Sequence, residues 1–206
     1  MTITHRLSFL APVIGLLLGA LDFIWIKYVP FPFGGLGNSI ATWAVAAFLL
    51  TFWVRRPLVR ASAGAVTMLV VAVPSYYVAA ALIQHDNWSN AWNLTTRVWM
   101  VFAVIAGVVF GIGGVLARRP GRLRLPALGL PAAVLLAEML MDLTRIGDPN
   151  YETADTVEYA VVLAALAALI TAAVARTGRD RALALACAAP LAGGGWVLMR
   201  AAGLLG

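Results

Sequence analysis

The first long apolar stretch, LSFLAPVIGLLLGALDFIWIKYV (residues 7 to 29), decides the fold class. It exceeds the about 20 mostly apolar residues that a helix needs to cross a bilayer. It is also too long for the apolar core of a signal peptide and lacks an A-x-A cleavage pattern, so we expect it to be retained. The stretch contains one acidic residue, Asp22. A carboxylate at membrane depth is costly and therefore marks a candidate site.

The composition of the whole chain agrees with a membrane protein. Of the 206 residues, 62% are hydrophobic and only 12% are charged, which lies outside the range of soluble domains. We predict an all-α, polytopic transmembrane helix bundle that forms a single transmembrane domain over residues 1–206. The lone cysteine, Cys187, can form no intramolecular disulfide and argues against a metal cluster and cysteine catalysis. No metal site and no cofactor are predicted.

The formal net charge of +6 could indicate a nucleic-acid partner, but the basic residues lie in short clusters between apolar runs. That pattern sets membrane topology and attracts anionic lipid headgroups. We therefore predict the lipid bilayer as the partner and no nucleic acid.

Seven apolar runs are candidate spans: 7 to 29, 37 to 54, 61 to 83, 94 to 117, 126 to 144, 157 to 175 and 182 to 205. Arginine clusters occupy the second, fourth and sixth connections, whereas acidic residues concentrate in the third and fifth. By the positive-inside rule, the arginine-rich connections are cytoplasmic. This predicts a cytoplasmic N-terminus and a C-terminus on the other side.

Small residues indicate which helix faces pack inside the bundle, because helices in lipid associate through Gly and Ala. On the first span, Gly15, Gly19 and Asp22 follow the i, i+4, i+7 spacing of one helix face. Asp22 is therefore predicted to point inward. On the fourth span, Gly107 and Gly111 share a stripe with Arg97 and predict the same orientation for that arginine.

Two later spans also carry aligned polar residues. They are Glu138, Asp142 and Arg145 on the fifth span, and Trp196 and Arg200 on the seventh. At ~1.5 Å per residue, all these charged groups fall in the outer half of their spans. The common depth predicts an outward-facing acidic and aromatic pocket, with Arg97, Arg145 or Arg200 as the ionic partner of Asp22.

Tryptophans lie at the same depth as the charged residues: Trp25, Trp43, Trp99 and Trp196. They suit either the wall of a ligand pocket or an aromatic belt at the membrane interface. The charged residues have two interpretations as well, since they can form a functional pocket or ion pairs that clamp the helices.

Three sequence segments carry a resemblance to known proteins. The order of GNSIATWAVAAFLLTF (37 to 52), WMVFAVIAGVVFGIGGVLARRP (99 to 120) and a later span with AEML (137 to 140) resembles an uncharacterised family of small multi-pass membrane proteins from actinobacteria. The likeness covers most of the chain and implies a helical bundle in a bacterial plasma membrane. The family has no assigned activity and so implies no site residues. In size and seven-pass architecture alone, the chain is also similar to small integral-membrane terpene cyclases.

Three functional hypotheses follow from these features. The first is a membrane-embedded terpene cyclase or isomerase, in which a buried carboxylic acid protonates an isoprenoid lipid. Its catalytic candidates are Glu138 as the acid, Asp22 as its partner and Asp142 on the same face. Its substrate-binding candidates are Arg97, Arg145, Arg200, Trp25, Trp43, Trp99 and Trp196.

The alternative hypotheses need no catalytic acid. One is the substrate-binding membrane subunit of a small-molecule transporter, with partner subunits docked on the basic cytoplasmic loops. The other is an envelope scaffold in which every intramembrane charge is structural.

Overall fold

The computed structural model describes residues 3–201, and within that range the side chains of residues 10–197 and 200. Every regular element between these bounds is helical, which confirms the all-α prediction. The seven α-helices are α1 Ile3–Tyr28, α2 Ile40–Trp53, α3 Leu58–Gln84, α4 Leu94–Leu116, α5 Arg124–Leu143, α6 Thr153–Val174 and α7 Gly178–Ala201. Two short 3-10 helices cover Phe33–Asn38 and Trp88–Ala91.

Five helical segments of the described chain are long and apolar enough to cross a membrane. They are Leu10–Tyr28, Leu58–Gln84, Trp88–Leu116, Arg124–Leu143 and Thr153–Val174. These segments coincide with the first, third, fourth, fifth and sixth predicted spans. The predicted seventh span, 182 to 205, coincides with α7 as far as Ala201, and its last residues lie outside the described range. The predicted orientation of the termini stays a prediction.

The second predicted span, 37 to 54, is the clearest departure from expectation. Its first residues belong to the 3-10 helix Phe33–Asn38, and α2 begins only at Ile40. Glycines within the 3-10 segment and the extended conformation of Ser39 end one helix and start the next. The 14 residues of α2 extend over about 21 Å at 1.5 Å per residue, less than the ~30 Å hydrocarbon core of a bilayer.

The chain contacts divide the protein into two compact units. The first unit comprises Met1–Val29 and Ala46–Val115, and the second comprises Pro30–Val45 and Leu116–Gly206. Helix α2 therefore begins in the second unit and ends in the first. The expectation of a single transmembrane domain stays a prediction.

Within the first unit, α1 packs on α3 through the predicted glycine face. Gly15 and Gly19 lie so close to α3 that a Cβ atom on either would collide with a backbone carbonyl oxygen, of Met68 or Ala72 respectively. The hydroxyl of Ser75 on α3 donates to a carbonyl oxygen of α1 at 2.7 Å. The prediction that Gly15 and Gly19 face another helix is confirmed.

Within the second unit, α5 packs closely on α7. Gly129 of α5 faces the backbone of α7, where an added Cβ would meet the carbonyl oxygen of Ala184 and the amide nitrogen of Ala188. At the beginning of both helices, the guanidinium of Arg124 binds both carboxylate oxygens of Asp180, at 3.0 and 2.8 Å. This bidentate ion pair fixes where α7 starts relative to α5.

Candidate functional site

The Glu138 carboxylate is the centre of the most extensive polar network in the second unit. It lies on α5, about 8 Å from the end of the helix at 1.5 Å per residue, and its side chain is half-buried. Oε2 accepts hydrogen bonds from the Ser39 hydroxyl and the Ala41 backbone N–H, both at 2.9 Å. Oε1 accepts from the Tyr159 hydroxyl at 2.8 Å. Three donors from two other segments of the chain therefore converge on one acidic group.

Two of these donors belong to the beginning of α2. The first N–H groups of a helix have no partner inside the helix, and a carboxylate near them also interacts favourably with the positive end of the helix dipole. Ser39 precedes α2 and accepts from the Thr42 N–H at 3.1 Å, as an N-cap residue does. Glu138 satisfies the next free amide, that of Ala41. One cap is thus local in sequence, and the other comes from α5.

The third donor, Tyr159 on α6, has two acceptors within reach. Its hydroxyl lies 2.8 Å from Oε1 of Glu138 and 3.2 Å from the carbonyl oxygen of Gly35. A phenol carries one proton, so it donates to only one of them at a time. Gly35 permits this approach, because a Cβ atom there would stand 2.7 Å from a carbon of the Tyr159 ring. The ring is buried and lies 6.3 Å from that of Phe31.

Asp142 forms a separate ion pair one turn further along α5. Its carboxylate accepts from Arg145 at 2.8 Å, and the Arg145 side chain is 46% exposed. The same guanidinium lies 4.8 Å from the centre of the Tyr151 ring. Arg145 follows the end of α5 at Leu143, so it belongs to the connecting loop. Among the described residues, Glu138 has no arginine partner. The interpretation of the intramembrane charges as structural ion pairs stays a prediction.

The acidic and basic candidates of the first unit differ in burial. Asp22 is 8% exposed, which agrees with the predicted inward orientation. Arg97 is exposed, so the prediction that it points inward is wrong. At about 100° per residue, Arg97 lies about 80° from Gly107 and about 40° from Gly111 around the helix axis. The ionic partnership predicted for Asp22 stays a prediction.

The tryptophan candidates also divide into two groups. Trp25 is 44% exposed and Trp99 is 38% exposed, as expected of residues in an interfacial belt. Trp43 and Trp196 are half-buried in the second unit. The guanidinium of Arg200 lies 5.4 Å from the centre of the Trp196 ring, and the Trp196 indole N–H has no hydrogen-bond partner among the described residues.

Sequence reasoning missed the neutral partners of Glu138. Ser39 and Tyr159 escaped notice because the candidates at a common depth were charged residues and the aromatic residues of other spans. A signal was present for both. Ser39 directly precedes an apolar helix, which is the preferred position of an N-cap serine. Tyr159 lies about 9 Å from the beginning of α6 at 1.5 Å per residue, close to the depth of Glu138 from the end of α5.

Long apolar helices joined by short connections define the class of the chain, a multi-pass membrane protein. Residues 2–204 match the model of the family of unknown function DUF6518. The chain belongs to this family, and the family description assigns no activity. No functionally described protein and no solved structure is significantly similar to the chain.

Proposed function

We propose that the protein is a membrane-embedded isomerase or cyclase, of the terpene cyclase type, that acts on an isoprenoid lipid with Glu138 as the proton donor. The observation that carries the proposal is the position of the Tyr159 hydroxyl between the Glu138 carboxylate and the Gly35 carbonyl oxygen. Because the Tyr159 hydroxyl can donate to either acceptor, Glu138 can carry a proton and donate it to the Tyr159 oxygen.

Two proton arrangements fit the same heavy-atom positions. In the first, Glu138 is a carboxylate and Tyr159 donates to its Oε1 atom. In the second, Oε1 carries the proton and donates to the Tyr159 oxygen, while Tyr159 donates to Gly35. Ser39 and Ala41 donate to Oε2 in both arrangements. Glu138 can therefore gain or release a proton without losing a hydrogen bond, as a general acid requires.

The reaction is balanced without a cosubstrate. Glu138 transfers its proton to one carbon of an isoprenoid double bond, and a tertiary carbocation forms at the other carbon. Loss of a proton from a neighbouring carbon returns a proton to the carboxylate and leaves the double bond in a new position. If a second double bond attacks the cation first, the product is a ring. Substrate and product have the same elemental composition in both cases.

Aromatic rings next to the acid support a cationic intermediate. The faces of Tyr159 and Phe31 carry the negative quadrupole charge that attracts cations, and the Tyr159 hydroxyl contacts Glu138 directly. Trp43 and Trp196 extend the proposed wall within the second unit. Asp142 is proposed as a further acid or base group, and Arg145 and Arg200 as substrate-binding residues.

A substrate-binding transporter subunit is the second candidate. The observation in its favour is Arg97, which is exposed near the beginning of α4 and forms no ion pair with the described residues. A free guanidinium at the predicted outer surface suits the capture of an anionic small molecule. In a transporter subunit, Arg97 would contribute to the affinity for the anionic molecule, and no proton transfer at Glu138 would be needed.

The test is the isoprenoid lipid profile of a bacterial host that expresses the full chain. Wild type should produce an isomer that the empty host lacks, and Glu138→Gln should abolish it while the protein remains folded. Glu158→Gln is the matched control, because Glu158 is an exposed acid on α6 next to Tyr159. Tyr159→Phe keeps the ring and should lower product yield. A folded Glu138→Gln variant that still forms product, or a wild type that forms none, would overturn the proposal.

A further inference from the structure

A second polar region lies at the opposite end of α5 from Glu138. It consists of residues 116–124, which are the loop before α5 with one helical residue on each side, and residues 175–181, which are the loop after α6 with the first turn of α7. These two loops hold seven arginines against one acid, Asp180, which leaves a formal charge of +6. Both loops belong to the second unit. We call this region the basic surface.

Two sets of side-chain contacts bring the loops of the basic surface together. Arg124 and Asp180 form the bidentate ion pair between the first turns of α5 and α7. Arg181 donates to the carbonyl oxygens of Ala172 and Ala175 at 3.1 and 3.2 Å, and so covers the last turn of α6. Three helix ends therefore meet at one surface. Its only acidic group is already neutralised by Arg124, which holds the pKa of the Asp180 carboxyl below its usual range.

Other arginines of the basic surface remain available to a ligand. Arg119, Arg122 and Arg176 are exposed and form no ion pair within the described chain. Leu123, between two of the arginines, is 60% exposed. A strongly positive surface with an exposed apolar residue matches the boundary between headgroups and acyl chains of a bilayer.

We propose that the basic surface binds the phosphate groups of anionic phospholipids in the adjacent leaflet. Helices α5 and α6 are both candidate spans, so the loops at their ends lie at headgroup depth. Guanidinium groups bind phosphate oxygens through paired N–H donors, and juxtamembrane arginines are attracted to anionic leaflets. The positive dipole ends of α5 and α7 add to this attraction. The inference does not depend on the proposed catalytic role of Glu138.

The test compares lipid affinity in purified full-length protein in detergent. A fluorescent phosphatidylglycerol should bind more tightly than the matching phosphatidylcholine. Arg119→Gln and Arg122→Gln should each weaken phosphatidylglycerol binding about fivefold, with unchanged affinity for phosphatidylcholine. Arg60→Gln, which removes the same charge from an exposed position in the first turn of α3, should leave binding unchanged. Circular dichroism should give all variants the same helix content.

Four outcomes would overturn the inference. Equal affinity for the two lipids would exclude the net negative charge of the headgroup as the recognised feature, because phosphatidylcholine also carries a phosphate group. An equal loss in Arg60→Gln would mean that overall net charge, and not this surface, determines binding. Displacement of the lipid by inorganic phosphate at an equal phosphate concentration would contradict a membrane lipid as the occupant. Binding of an acidic protein with no preference for anionic lipid would favour a partner subunit instead.

Discussion

Replacing Glu138 by alanine or by glutamine separates the structural contribution of the carboxylate from its proposed chemistry. In Glu138→Gln, the amide oxygen can accept from Ser39 and Ala41, as Oε2 does in the wild type. The amide NH₂ can then donate to the Tyr159 oxygen while Tyr159 donates to Gly35. Glutamine therefore reproduces the protonated arrangement of Glu138. We expect a loss of about 1 to 2 kcal/mol, because charge-assisted hydrogen bonds become neutral ones and the interaction with the dipole of α2 is lost.

In Glu138→Ala, the Ser39 hydroxyl, the Ala41 N–H and the Tyr159 hydroxyl lose the carboxylate that accepts their hydrogen bonds. The Tyr159 hydroxyl can turn to Gly35, but the Ala41 N–H has no acceptor left at the beginning of α2. An unsatisfied buried donor costs about 1 to 3 kcal/mol, and the lost hydrogen bonds and packing add to this. We expect a total loss of about 3 to 5 kcal/mol.

Reversible unfolding in mixed micelles, followed by circular dichroism, measures both free energies. The alanine variant should be less stable than the glutamine variant by about 2 kcal/mol or more. Two equal losses would refute the reasoning. A loss in Glu138→Gln as large as the ~3 to 5 kcal/mol of a broken buried ion pair would indicate a cationic partner in place of the neutral donors.

Three further predictions concern packing, topology and pH. Gly19→Leu should disrupt folding because a side chain there meets the α3 backbone. Leu17→Ala, at a 55% exposed position, should give normal yields of folded protein. Equal yields of the two variants would contradict the packing of α1 on α3. Single cysteines on a cysteine-free background should react with an impermeant thiol reagent in intact cells at Ser89 but only after permeabilisation at Arg119, and the opposite labelling would invert the topology. The pKa of Asp180 is lowered, so its ion pair stabilises the fold fully above about pH 4 and less as the pH falls through the lowered pKa. The difference in free energy of unfolding between wild type and Asp180→Asn should therefore become smaller in acid. A difference that does not change with pH would contradict this prediction.

The helical fold class and one packing face can both be predicted from the sequence, and each prediction has a physical reason. Long apolar runs can satisfy their backbone hydrogen bonds in lipid only as helices or closed barrels, and their length favours helices. The spacing of Gly15 and Gly19 identifies a helix face because close approach in lipid depends on small residues. Both features are local in the chain, and the structure agrees with both.

Contacts between distant segments were harder to predict. Glu138 binds residues far from it in sequence, and none of its partners is charged. A comparison of charged residues at a common depth therefore could not identify its partners. Arg145, one of the arginines predicted as a partner of Asp22, forms an ion pair with Asp142. The orientation of Arg97 was wrong for a different reason. A stripe of alternating three- and four-residue steps drifts by about 20° per heptad around a straight helix, and Arg97 lies at the far end of the stripe from the two glycines.

The length of α2 also depended on a distant residue. Hydropathy alone extends the second span to residue 37, because glycines do not interrupt an apolar average. The helix begins at Ile40, where Ser39 and Glu138 satisfy its first free amides. The shorter helix thus results from the same network that forms the candidate site.

Deuterium incorporation tests the proposed role of Glu138 most directly. Purified protein in vesicles is incubated in D₂O with the isoprenoid lipid fraction extracted from a bacterial membrane, and the lipids are analysed by mass spectrometry. Glu138 exchanges its proton with solvent between turnovers, so wild type should place deuterium on a carbon of an isoprenoid chain. Glu138→Gln should place none, and Glu158→Gln should match the wild type. Absence of deuterium with folded wild type, or equal incorporation with Glu138→Gln, would contradict Glu138 as the proton donor.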